Sequence, residues 1–148
     1  MKKTIIAGIA AALALSVAGV SHAEDKFKAC FVYVGSKTDG GWTQAHDVGR
    51  QLVDKELGDK VETVFVENTP EGPDAERAIE RFARSGCGII FTTSFGFMDP
   101  TLAVAAKFPD VKFEHATGFK TAPNVTTYNS RFYEGRYIIG QIAGKMSK

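Results

Sequence analysis

Cys30-Phe-Val-Tyr-Val-Gly-Ser-Lys-Thr-Asp-Gly-Gly-Trp42 runs from an unbroken apolar stretch into a glycine-rich turn, which delivers Asp39 and Trp42 where a helical pattern begins. An apolar run without polar alternation reads as a parallel strand covered on both faces. In open α/β sheets, ligands sit beyond the carboxyl ends of such strands. Gly40 and Gly41 permit close backbone approach, and the Trp42 indole offers a flat face on which a ring could stack. The same residues also fit a tight strand-to-helix turn in which Asp39 caps the helix and Trp42 enters the core.

Strand and helix patterns alternate outward from this segment. Ala29 to Val34 reads as the first strand, and Ala45, Val48, Gly49, Leu52, Val53 and Leu57 recur at helical spacing as the apolar face of the helix that follows. Val61 to Val66 is a second strand. A helix opening at Pro73, with Asp74 and Glu76 in its first turn, buries Ala75, Ile79, Phe82 and Ala83 and stops at Ser85-Gly86. Gly88 to Thr92, Val111 to His115 and Val125 to Tyr128 supply three further strands. A helix from about Pro100 to Phe108 lies between the third and fourth, and the last helix, Tyr133 to Met146, presents Ile138, Ile139, Ile142 and Ala143 as its buried face. The alternation predicts right-handed crossovers and an α/β fold, a doubly wound, mostly parallel sheet in the order 2-1-3-4-5.

The amino terminus sets the compartment. Met1-Lys2-Lys3 is a basic start, Thr4 to Val20 is apolar, and Ser21-His22-Ala23 is a small-x-small cleavage pattern, so residues 1–23 read as a secretory signal peptide and residues 24–148 as one ligand-binding lobe. A soluble, exported protein in a bacterial periplasm is expected, and without a cysteine at the cleavage point no membrane anchor is expected in the mature chain. Cleavage leaves sixteen basic against seventeen acidic side chains, a net charge of −1. No basic run or arginine stripe supports nucleic-acid or anionic-membrane binding.

If the strands are parallel, Asp39, Gly41 and Trp42 share one sheet edge with Ser94 and Phe95 after the third strand and with Asn129 and Arg131 after the fifth. Asp39, Gly41, Trp42, Ser94, Phe95 and Asn129 are the candidate ligand-binding residues. Phe95 could instead be core, and Asn129 and Arg131 could serve a hinge. Asp99 before Pro100 fits a helix N-cap. His46, four residues after Trp42, could buttress the indole or touch ligand, whereas His46 and His115 lack neighbours at metal-ligand spacing, and no metal or cofactor is expected. Cys30 and Cys87 lie near the amino ends of neighbouring strands and could form a disulfide or remain buried thiols.

Trp42 within Asp-Gly-Gly-Trp, the segment Ile90-Phe-Thr-Thr-Ser-Phe-Gly-Phe-Met-Asp-Pro100, the run Phe108-Pro-Asp-Val-Lys-Phe113, and Tyr133-Glu-Gly-Arg-Tyr137 with Gly140 and Ala143-Gly144 resemble the basic membrane protein family. These are solute-binding proteins of ABC transporters, related to purine-nucleoside receptor A. The resemblance implies a type I periplasmic binding protein, two Rossmann-like (flavodoxin-like) lobes closing on a purine nucleoside or nucleobase, with an ABC transporter permease as partner. It also implies that Trp42 stacks on the base where many relatives carry Phe. Against that pattern the sequence reads as the leader and first lobe alone, a fragment whose last helix should expose apolar surface where the second lobe would meet it.

Two rival functions remain. A sugar or amino-acid receptor on the same scaffold could also use Trp42. A secreted nucleoside hydrolase would want clustered carboxylates with a metal, or a Gly-x-Ser-x-Gly elbow; Thr93-Ser94-Phe95-Gly96 lacks the first glycine, so no enzyme is expected. Val34-Gly-Ser-Lys-Thr-Asp-Gly-Gly41 likewise fails as a phosphate-binding loop, because its Lys-Thr pair precedes the glycines.

Overall fold

The computed structural model describes residues 25–147; the expected signal peptide lies outside them. Five strands, β1 (Phe27–Val32), β2 (Val61–Val66), β3 (Ile89–Thr92), β4 (Lys112–Ala116) and β5 (Val125–Tyr128), form one parallel sheet in the order β2-β1-β3-β4-β5. Four α-helices connect or follow them: α1 (Trp42–Leu57), α2 (Pro73–Arg84), α3 (Met98–Ala105) and α4 (Phe132–Met146). The predicted fold class and strand order are those observed.

The pleat divides β1 between two cores, because successive side chains point to opposite faces. Cys30 and Val32 join Ile79, Phe82, Ile90, Val104 and Phe113 beneath α2 and α3. Ala29, Phe31 and Tyr33 face the other way with Phe65 and Phe91, and the Phe31 and Phe91 rings stack at 4.7 Å. Helix α2 buries Ala75, Ile79, Phe82 and Ala83 as its periodicity predicts. A disulfide joins Cys30 to Cys87, whose Cα atoms are 6.0 Å apart. It ties the first and third strands at the end away from the glycine-rich turn.

Helix α1 corrects the sequence reading. Its buried residues are Thr43, Asp47 and Arg50, while Val48 and Leu52 are more than half exposed. The polar face is the one turned inward because its partners are there. Arg50 Nε donates to Asp47 Oδ1 at 2.7 Å, Arg50 Nη1 to Asp54 Oδ2 at 2.6 Å and to Thr63 Oγ1 at 3.0 Å, and the guanidinium lies over the Phe65 ring. The Tyr33 hydroxyl reaches Asp47 Oδ1 at 3.4 Å, and burial pushes its pKa above the usual phenol range, with the Asp47 charge adding to the rise.

Helix α4 does not bury the face its periodicity names but leaves apolar surface exposed, as the family resemblance leads one to expect. None of its residues is buried, and Ile138, Ile139 and Ile142 are 60, 66 and 54% exposed, because among the described residues the helix leaves β5 without packing along the sheet. Asp99 is not an N-cap. A 3₁₀ turn at Phe95–Phe97 runs directly into α3, which begins at Met98 with no side-chain cap, and the Asp99 carboxylate accepts from Lys120 Nζ at 2.7 Å instead. His115 is fully buried beside Thr92.

Candidate functional site

Parallel strands deliver the loops that follow all five to one edge. The first is held by Asp39, whose carboxylate accepts from the backbone N–H of Gly41 at 2.8 Å, Thr43 at 2.9 Å and Gln44 at 3.0 Å. These bonds, those from Gln44 and Thr43 foremost, hold its pKa down to about 2. They satisfy amide groups that the start of α1 would otherwise leave bare. Gly40 sits at φ +72°, a conformation costly for a residue with a side chain. The turn therefore places Trp42 at the first position of α1.

Trp42 is partly buried and reaches across the edge, where its Nε1–H donates to the Thr93 carbonyl at 2.6 Å. His46, one turn later, donates from Nδ1 to the Trp42 carbonyl at 2.8 Å, and the two rings lie 4.6 Å apart. Phe132, opening α4, packs on the indole at 5.6 Å. After β4, Thr117 adopts φ +66°, rare for a β-branched residue and the kind of backbone outlier that gathers at binding sites.

Two concavities meet at Trp42. A cavity of about 290 Å³ is walled by Trp42, His46, Thr117, Tyr128, Asn129 and Phe132, with Ala45, Ala116 and Ser130 completing it. Burial, with a contribution from Glu114, raises the Tyr128 pKa to about 12, so its phenol stays neutral at physiological pH. A second, open depression is bordered by Val34, Trp42, Ser94, Phe95, Thr117, Phe132 and Arg136. The wall between the two is mostly aromatic, with few charges. Such a site suits a planar ring better than a polyanion.

Of the candidate residues read from the sequence, Trp42 and Asn129 line the first cavity and Trp42, Ser94 and Phe95 the second. Asp39 and Gly41 line neither, being engaged with each other beneath the turn. Asn129 is exposed and its Oδ1 accepts from the Ser130 N–H, Phe95 is 56% exposed with its ring 6.3 Å from that of Phe119, and Arg131 pairs with Glu134. His46, Thr117, Tyr128 and Phe132 complete the site. Of these the sequence singled out only His46, for its spacing from Trp42. Tyr128 was assigned to a strand, and nothing in a threonine's identity announces a positive φ. Among the described residues no group of three or more His, Cys, Asp or Glu side chains could hold a metal ion.

The comparisons agree with this geometry. A profile of the family described as ABC transporter substrate-binding protein PnrA-like matches residues 26–148. A purine-binding protein of Brucella abortus is 60% identical over 140 residues, covering 95% of this chain and 40% of the relative. A protein of Haloferax volcanii described as an ABC transporter glucose-binding protein is 42% identical over 120 residues, covering 81% of this chain and 30% of the relative. The chain thus spans less than half the length of these relatives. A solved ABC transporter solute-binding protein from Conexibacter woesei superposes with a TM-score of 0.63 at 22% identity, covering 70% of this chain and 35% of that one, a likeness of fold. With a ring-walled cleft at the carboxyl edge of a parallel sheet and a profile match running through all of the described helices and strands, the chain belongs to the PnrA-like family of ABC transporter substrate-binding proteins.

Proposed function

We propose that this chain supplies one wall of a receptor for a purine nucleoside or nucleobase, which delivers its ligand to the permease of an ABC importer outside the cytoplasmic membrane. The observation that carries this reading is the Trp42 indole, bonded to Thr93 and flanked by His46 and Phe132, as a preset platform between two concavities. A base stacked on such a ring gains dispersion and hydrophobic contact without a net charge on the ligand. The name of the Brucella relative supports purine as the ring. Enclosure of the exposed side of the ligand falls to a second lobe, which closes on it as binding proteins of this fold do.

A sugar is the second reading, favoured by the glucose named for the Haloferax relative and by the suitability of an indole face for a pyranose. Trp42 is the chain's single tryptophan, so its fluorescence reports ring contact directly. Titration with adenosine, guanosine, inosine, hypoxanthine and glucose separates the readings. Saturable quenching by a purine supports the first, quenching or thermal stabilisation by glucose alone replaces it with the second, and release of free base from a nucleoside would make the protein an enzyme.

A further inference from the structure

We propose that Glu71, in the turn between β2 and α2, is a positioning residue that sets the Trp42 platform by holding Ser94; the inference rests on the ring-binding reading of that site. Glu71 lines neither concavity. Its Oε1 accepts from the Ser94 hydroxyl at 2.6 Å, and the carboxylate fills the space that a side chain at position 96 would need, since a Cβ on Gly96 would meet it at 2.1–2.3 Å. Gly96 has no positive φ, so the glycine there serves the carboxylate's fit, not a backbone requirement.

The turn carrying Glu71 is itself anchored to the first loop. Thr69 N–H donates to the Tyr33 carbonyl at 3.0 Å, Asn68 N–H to the Gly35 carbonyl at 3.1 Å, and Glu67 Oε2 accepts from the Lys37 N–H at 2.8 Å. Asn68 at φ +55° and Gly72 at φ +80° bracket the turn. Glu67 therefore grips the loop before Trp42, and Glu71 grips the loop after Thr93. Because the Thr93 carbonyl belongs to the peptide that joins it to Ser94, fixing Ser94 fixes the direction of the acceptor that Trp42 Nε1–H uses. The turn thus sets the spacing of two ligand loops without touching ligand.

The test reads the lone indole N–H by NMR exchange in ¹⁵N-labelled protein without ligand, then purine affinity by fluorescence. Glu71→Ala and Gly96→Ala should each speed indole exchange and weaken binding about 3- to 10-fold, the scale of one hydrogen bond. Gly96→Ala leaves both partners chemically intact and only displaces the carboxylate. Glu71→Gln, whose amide oxygen still accepts from Ser94, should stay within about 2-fold of wild type, and Glu71→Ala should add little in a Ser94→Ala background. Wild-type exchange in both Glu71→Ala and Gly96→Ala, or an undiminished Glu71→Ala effect without the Ser94 hydroxyl, overturns the proposal. If no purine binds wild-type protein, the purine reading fails, and indole exchange alone still decides the role of Glu71.

Discussion

Trp42 Nε1–H and the Thr93 carbonyl oxygen lie 2.6 Å apart across fifty-one residues of sequence, so the first turn of α1 and the end of β3 are fixed to one another at the carboxyl edge. Three hydrogen bonds to the two carboxylate oxygens of Asp39 organise the turn from below, and one donor on the indole ties it sideways. The ring is neither core nor free. It is a half-buried platform whose orientation depends on a hydrogen bond that phenylalanine cannot make.

Trp42→Ala should therefore weaken purine binding by about 1–3 kcal/mol, the scale of one lost aromatic–base stack. Trp42→Phe should keep much of the stacking while leaving the Thr93 carbonyl without its indole donor, at a cost of about 1 kcal/mol. Calorimetric titration of both variants beside denaturant melts separates affinity from stability. Unchanged affinity in Trp42→Ala would remove the platform from the binding reaction.

The Cys30–Cys87 disulfide closes a 57-residue segment. On the chain-entropy account such a loop stabilises the fold by about 4 kcal/mol. Reduction, or replacement of both cysteines by serine, should lower the melting temperature markedly while leaving ligand affinity within about 2-fold, because local effects at distant sites add rather than couple. A large loss of affinity at temperatures where the reduced protein is still folded would place the bridge in communication with the cleft.

The order of the strands and the bounds of β2 and β5 were legible because apolar runs and glycine or proline punctuation agree there. The inward face of α1 was not. Asp47 and Arg50 look like solvent residues until Tyr33, Thr63 and Phe65 are brought against them by the sheet, and that partnership is a tertiary fact. Helix α4 shows the converse, since a strong apolar pattern names a face that wants covering but not its partner. At the site, Trp42 was legible from its place after a glycine pair. Thr117 and Phe132 were not, because one owes its place to an unusual backbone angle and the other to the packing of two helix starts.

Asp47→Ala would leave the Arg50 guanidinium largely buried without its one buried carboxylate partner. Breaking a buried pair from one side costs about 3–5 kcal/mol, with the remaining bond to Asp54 placing the loss at the lower end. Replacing both, as Asp47→Leu with Arg50→Met, should be milder than either single change, since no uncompensated charge remains. Urea melts of the three variants test this, and additive losses would show that the pair is not coupled.

His115 gives the pH dependence its sign. The Thr101 hydroxyl donates to the Phe97 carbonyl at 2.7 Å, so the Thr92 hydroxyl donates to Thr101 Oγ1 and accepts from His115 Nδ1–H, both at 3.0 Å. This leaves Nε2 bare, buried and without a partner, against Gly118, where the ring occupies the space of any Cβ. Burial lowers the imidazole pKa below its ordinary 6.5, outweighing the hydrogen bond at Thr92, which works the other way. The unfolded chain therefore binds a proton at a pH where the folded protein does not. The contribution of His115 is fully present above about pH 6.5 and is lost as pH falls through the lowered folded value. Denaturant melts between pH 7.5 and 5 should show declining stability, and His115→Gln, though less stable at pH 7.5, should show a shallower decline. A His115→Gln profile parallel to wild type would mean that another group carries the dependence.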